Sequence, residues 1–166
     1  MKIGVIVGRF QVPRLHDGHL HLINTALSEF DKVIVFIGVT KDKKLTSHDP
    51  LPYEARKLML HEYRSDLIVY PIQDVGNWEK WVEKLDELID CVCKVEYLED
   101  PEVFILGSRD SVVTGYERSS GKYETRYISS IGDYSGTQVR NKILESYTPS
   151  WNYDSRALAT WYSGNI

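Results

Sequence analysis

Basic charge, cysteine and long apolar runs are what this sequence has little of. Acidic residues outnumber basic ones, 24 to 20, for a formal net charge of −4. A nucleic-acid or membrane-surface partner calls for a basic patch, and the charge balance gives it no support. No run approaches the ~20 apolar residues that a membrane-spanning helix needs. The first strand pattern follows Met1-Lys2 directly, leaving no room for a signal peptide. The expectation is a cytoplasmic protein with no nucleic-acid and no membrane partner. The two cysteines, Cys91 and Cys93, stand one residue apart. That is too close for an ordinary disulfide, and the second ligand pair of a zinc site is missing. They read as reduced thiols late in a helix. Also absent are the three spaced glycines of a dinucleotide fingerprint and the Gly-Lys-Ser/Thr of a Walker loop. Any phosphate site must therefore be of another kind. Without repeats, linkers or a second compositional region, residues 1–166 read as one domain.

What is present alternates between strand and helix. Ile3–Val7, Val33–Ile37, Leu67–Tyr70 and Val103–Leu106 are short, nearly continuous apolar runs, as strands covered on both faces would be. Pro71 is expected to end the third and Gly107 the fourth. Between them helices are expected at 18–29, with Leu20, Ile23 and Leu27 on one face, and at 52–63, with Pro52 in the first turn. A third helix, capped by Asn77, carries the stripe Trp78, Trp81, Val82, Leu85, Leu88 and Ile89. Residues 110–134 show little periodicity apart from a short strand near Tyr127-Ile128, and a last helix is expected at 136–147. The tail, 148–166, holds Trp151, Tyr153, Trp161 and Tyr162, so it is expected to pack on the body or on another subunit of a homo-oligomer. This order implies an α/β fold, a doubly wound parallel sheet in a single domain with a core at 3–147. Ligands bind such sheets at the carboxyl ends of the strands.

The chemistry-bearing residues fall at those ends. Strand one leads into Gly8-Arg9-Phe10-Gln11, and His16-Asp17-Gly18-His19 opens the first helix. A helix N-terminus attracts anions through its unpaired amides and its dipole. Gly18 lets a phosphate approach the backbone, two histidines three apart can address it together, and Arg9 adds fixed charge. Ser135-Gly136-Thr137-Gln138-Val139-Arg140 opens the last helix. Ser135 and Gln138 fit a capping box, whereas Gly136, Thr137 and Arg140 make a second anion cradle. Two cradles suit a polyphosphate better than a single phosphate. Asp74, just past a strand-ending proline, has little packing value. Trp81 lies on a core stripe, and Arg56 on a helix, so packing or solvation explains either equally well.

Together these segments resemble the nucleotidylyltransferase superfamily with the His-x-Gly-His signature, through His16-Asp17-Gly18-His19 early and Ser135-Gly136-Thr137-x-x-Arg140 late. Gly8-Arg9-Phe10-Gln11, the stretch Asp49-Pro50 to Arg56, and Asp74 with Trp81 seven residues on are similar to the archaeal-type nicotinamide mononucleotide adenylyltransferase branch. The loop Val12-Pro13-Arg14-Leu15 is longer than that branch usually has and offers Arg14 as an added acceptor contact. The resemblance implies transfer of AMP from ATP to nicotinamide mononucleotide by direct in-line attack, with Mg²⁺ carried on the ATP phosphates and no protein metal site. It implies catalytic roles for Arg9, His16, His19 and Arg140. ATP would be held by Gly8, Phe10, Gly18, Gly107, Ser135, Gly136 and Thr137, and the acceptor by Gln11, Arg56, Asp74 and Trp81. Alternatives at this level are a sister transferase for nicotinate mononucleotide, pantetheine phosphate or a sugar phosphate, a nucleotide sensor without turnover, and a metal hydrolase on His16, His19 and His21.

Overall fold

Alternate residues of the Val- and Ile-rich runs point to opposite sides of one sheet, and both sides are covered. The computed structural model describes residues 1–42, 44–108 and 112–129. The chain runs β1 (Lys2–Gly8), α1 (Asp17–Glu29), β2 (Lys32–Val39), α2 (Tyr53–Tyr63) and β3 (Ile68–Gln73), then α3 (Trp78–Val95), β4 (Glu102–Gly107), α4 (Val112–Arg118) and β5 (Glu124–Tyr127). The described strands form a five-stranded sheet in the order β3-β2-β1-β4-β5, with every pairing parallel. On one face Ile6, Val33, Val35, Ile37, Phe104 and Leu106 pack with Ile23 and Ala26 of α1 and Met59 and Leu60 of α2. On the other, Ile3, Val5, Ile34, Phe36, Val103 and Ile105 pack with α3 and α4. This is the doubly wound α/β sheet that the alternation implied.

The chain leaves β1 toward one edge and returns to β4 on the other side of β1, so the direction of winding switches between these two strands. In such a sheet the crevice for a ligand opens at their carboxyl ends, here marked by Gly8 and Gly107.

Four expectations are corrected. Pro71 does not end β3; the strand continues to Gln73, with Pro71 opposite Ile37. β3 is an edge strand, where a missing backbone N–H leaves no neighbour unpaired. Pro52 is the N-cap residue of α2 and not part of its first turn. Trp78 lies on the stripe of α3 but is 53% exposed, since it is the first residue of the helix and lines a cleft where core was expected. The region of little periodicity contains a helix, α4. Its hold on the body is partly polar: the Tyr116 hydroxyl donates to Asp86 of α3 at 2.5 Å, and in the loop that follows the Lys122 ammonium donates to Asp90 at 2.5 Å. Cys91 and Cys93 are both free and fall in α3. Among the described residues no helix is long and apolar enough to cross a membrane. The last helix, expected at 136–147, and the aromatic tail lie outside the described residues.

Leu85 of α3 is fully buried against the sheet, whereas Leu58 of α2 is 49% exposed. Leu85→Ala is expected to cost about 2–5 kcal/mol in urea unfolding, and Leu58→Ala no more than ~0.5 kcal/mol. Similar losses would contradict this placement of the core.

Candidate active site

The site is assembled where β1 ends. Phe10 has φ of 53°, a left-handed conformation that a bulky side chain rarely adopts and that costs on the order of 1–3 kcal/mol. The turn sends the Phe10 ring back into the core, where it is 4% exposed. Gly8 makes this possible, since a Cβ there would meet the Phe10 ring at 2.9 Å. The same turn leaves Arg9 half-exposed above the ends of the strands. Its guanidinium donates to Asp74 at 2.6 Å and to Asp49 at 3.3 Å. Burial alone would lower its pKa; Asp74 first and Asp49 second more than reverse that, so the charge is firmly held. Asp74 is fixed in turn by its own N–H, which donates to the Val39 carbonyl at 2.9 Å. Asp49 closes a turn with Thr46, whose hydroxyl accepts from the Asp49 N–H.

Beneath Arg9 lies Arg56, 3% exposed. Its Nη1 donates to the carbonyls of Gly38 at 2.7 Å and Arg9 at 2.9 Å, and its Nε to that of Pro52 at 3.4 Å. Burial pushes its pKa down to about 10, so it stays charged near neutrality. Arg56 is thus not a solvated helix residue; it ties the ends of β1 and β2 to the cap of α2 and also lines a second cavity of about 490 Å³ with Gln11, Asp49 and Tyr53. Gln11, equally buried, exchanges two hydrogen bonds with the Leu51 backbone at 3.1 and 2.9 Å. Both residues are expected from sequence to touch an acceptor; the structure shows their backbone contacts and places both in the lining of the second cavity.

His16 is the N-cap of α1 and His19 its third helical residue. Each ring accepts, through Nδ1, the backbone N–H of the other, at 3.3 and 3.4 Å, and the rings stack with centroids 3.6 Å apart. An Nδ1 that accepts carries no proton, so the proton of each neutral ring sits on Nε2. The capping box therefore fixes the tautomer and leaves each ring with one N–H donor directed away from the backbone. Burial pushes His19 down to about 3, with His16 adding to the effect, and burial also lowers His16. Both are neutral donors at physiological pH. Gly18 occupies the turn between them and adds no side chain at the helix N-terminus.

A cleft of about 490 Å³ opens at the ends of β1, β2 and β3, lined by Gly8, Arg9, Asp74, Trp78 and Trp81 among others. That is within the usual range for a small-molecule site. Trp81 is partly buried against the second core face and also lines the cleft, so packing and ligand contact are compatible there. Asp49, which orients Arg9, and Trp78 were not singled out from sequence. Asp49 could have been found as an acid beside an expected phosphate-binding arginine; Trp78 was hidden by its core-like spacing. Arg14 is exposed at the surface. Gly107 ends β4 and is buried, its carbonyl accepting from the Ile128 N–H at 2.8 Å. Ser135, Gly136, Thr137 and Arg140 lie outside the described residues. Among those described, no group of three or more His, Cys, Asp or Glu side chains is gathered to hold a metal, and His16, His19 and His21 do not form one.

Residues 5–142 match the family model described as cytidylyltransferase-like. The nicotinamide-nucleotide adenylyltransferase of Picrophilus torridus is 32% identical over 154 residues, covering 90% of this chain and 82% of that protein. That of Aeropyrum pernix is 29% identical over 165 residues, covering 91% and 84%. Among solved structures, the bifunctional NMN adenylyltransferase/ADP ribose pyrophosphatase of Francisella tularensis, complexed with AMP and a manganese ion, aligns with a TM-score of 0.72 at 25% identity. That match covers 87% of this chain and 42% of the bifunctional one, so the chain spans under half the latter's length.

The His19 ring has a pH signature. As pH falls through 6.5 the unfolded chain takes up a proton that the folded ring refuses until about pH 3. The stability of the fold must therefore decline across that window. Urea unfolding is expected to weaken more between about pH 7 and pH 5 for the wild type than for His19→Gln. Equal pH dependence in the two would show that His19 is not held neutral.

Proposed function

This chain belongs to the cytidylyltransferase-like family, and from that membership we propose that it is an adenylyltransferase moving the AMP part of ATP onto nicotinamide mononucleotide. A phosphate oxygen of the acceptor attacks the α-phosphorus of ATP, the bond from that phosphorus to the bridging oxygen breaks, and pyrophosphate leaves with the electron pair. The product is NAD. No covalent enzyme intermediate is needed, so the protein's task is alignment and neutralisation of charge at the reacting phosphorus. The observation that carries this reading is the histidine capping box: two preset Nε2–H donors at a helix N-terminus, next to Arg9 and the cleft.

In this reading His16 and His19 donate to the α- and β-phosphates, strengthened by the dipole of α1. Gly8, Phe10 and Gly18 keep the backbone there accessible, and Gly107 borders the nucleotide from β4. Arg9 stands at the junction of donor and acceptor phosphates, with Arg56 acting through it. Ser135, Gly136, Thr137 and Arg140 are proposed, on their sequence alone, for the β- and γ-phosphates. Asp74 and Trp81 face the pyridine ring, and Gln11 holds the wall behind it. The Asp74 carboxylate favours the carboxamide over nicotinate, whose second anionic group would be repelled.

The manganese ion in the Francisella complex supports use of a divalent cation, and magnesium is proposed here. Asp74, which lines this cleft, and Asp49, which lines the cavity beside it, are both engaged by Arg9. An ion that keeps phosphate and water ligands suits such a donor set. It would neutralise charge on the triphosphate when bound. The reading carries a cytoplasmic location.

Incubation with ATP, Mg²⁺ and nicotinamide mononucleotide is expected to give NAD and pyrophosphate in equal amounts. His19→Ala is expected to remain folded and lose about 10²–10³ in turnover, the usual cost of one preorganised donor. Asp74→Ala is expected to raise KM for nicotinamide mononucleotide more than for ATP. Binding of ATP with neither product formed would contradict the reaction.

A further inference from the structure

A phenylalanine in left-handed backbone has to be held there by what its ring touches. Phe10, at φ 53°, is such a residue, and it is 4% exposed. Toward the sheet its ring lies so close to Gly8 that a Cβ at that position would meet it at 2.9 Å. Toward α1 it meets the His19 ring, with centroids 4.9 Å apart and planes tilted by 46°. Ile23, one turn beyond His19, belongs to the same core cluster as Phe10. The Phe10 ring is therefore a spacer between the end of β1 and the first turn of α1. His19 also stacks on His16, with centroids 3.6 Å apart. The imidazole thus has one ring partner from the turn after β1 and another from the cap of its own helix.

We propose that the Phe10 side chain is a positioning residue for the transfer, acting through His19: it fixes the plane of that imidazole and keeps water from its buried side. Resting on the reaction read above, this gives the Phe10 ring a task separate from that of its backbone. The ring torsion of a histidine is broad, so a cap bond at Nδ1 alone leaves the imidazole free to rock. With the Phe10 ring against it the Nε2–H donor keeps one direction, which a transfer relying on alignment requires. Excluding water has a second effect. Burial is the main cause of the low pKa of His19, about 3, and His16 adds to it. Among the described residues His16 is the ionisable group that bears on His19, and Asp17 bears on His16. Protonation would put a hydrogen on His19 Nδ1, where it faces the His16 backbone N–H donor to donor and breaks the capping box. A ring opened to water takes up that proton at higher pH. Phe10 thus keeps the box closed as the medium turns acid.

The test is steady-state kinetics between about pH 5 and pH 8, with NMR of ring-labelled histidine over the same range, on wild type, Phe10→Leu, Phe10→Met and Phe30→Leu. Circular dichroism establishes folding, and His19→Gln identifies the His19 signals. Phe30→Leu is the control, since Phe30 lies in the same core cluster but caps the far end of α1. In wild type and Phe30→Leu the His19 ring is expected to stay neutral across that range. In Phe10→Leu its titration midpoint is expected to rise by about one pH unit or more. Its kcat should fall about tenfold at neutral pH and further as the ring takes up its proton. KM for ATP and for nicotinamide mononucleotide should stay within about twofold, as for a loss felt in the transition state. An equal fall in kcat for Phe30→Leu would overturn the role of Phe10. So would His19 signals that do not move in a folded Phe10→Leu while the wild type makes NAD, and the reaction would then stand. A wild type that makes no NAD would overturn the reaction, and Phe10 with it as a residue of the transfer. Phe10→Met, which keeps a flexible apolar filling, decides should Phe10→Leu not fold.

Discussion

The buried guanidinium of Arg56 is the contact on which the geometry of this site depends. The backbone carbonyls at the end of β1, the end of β2 and the cap of α2 converge on one side chain. Carbonyls brought together at the end of a sheet repel one another and must be paired when water is excluded. A planar group with five donors on a fixed fork reaches carbonyls set apart from separate nitrogens, where a lysine has a single ammonium. The cost of burial shows in its lowered pKa, yet the group stays charged. With Gln11 locked to Leu51, the loops after β1 and β2 are joined to the start of α2 from below.

Above that floor the exposed groups act as one arrangement. The strained turn at Phe10 raises Arg9 while sinking its own ring toward His19, whose ring centroid lies 4.9 Å away. The two acids flanking Arg9 come from different loops, so its direction reports the relative position of the ends of β2 and β3. The histidines are set by the backbone they cap. Neither ring has to gain or lose a proton to donate, which suits a transfer between phosphates that needs alignment more than acid–base chemistry.

Much of this was readable in the sequence, and the reasons differ from one element to the next. The parallel strands β1, β2 and β4 announce themselves because both faces are covered and no alternation interrupts the apolar run. Edge strand β3 misled, since Pro71 breaks strands that have neighbours on both sides. α4 escaped because seven residues with two buried side chains carry no detectable period, and its polar contact is with Asp86, 30 residues away in α3. Arg9, His16 and His19 were visible because short motifs follow a strand directly. Arg56 and Gln11 were visible as residue types, but the backbone carbonyls and amide they bind were not. Whether a guanidinium faces out to a ligand or inward to carbonyls is decided by residues 9, 38 and 52, which only the fold brings together. The exposure of Trp78 likewise depends on the cleft it lines.

The most direct measurement is urea unfolding of Arg56→Met beside the wild type. Methionine keeps the apolar stem and removes every donor, so the carbonyls of Arg9, Gly38 and Pro52 lose their shared partner. A loss of about 3 kcal/mol or more is expected, the scale for hydrogen bonds to a charged group whose buried partners are left unpaired. An unchanged midpoint would mean that Arg56 is a surface ligand and that something else holds the floor of the site.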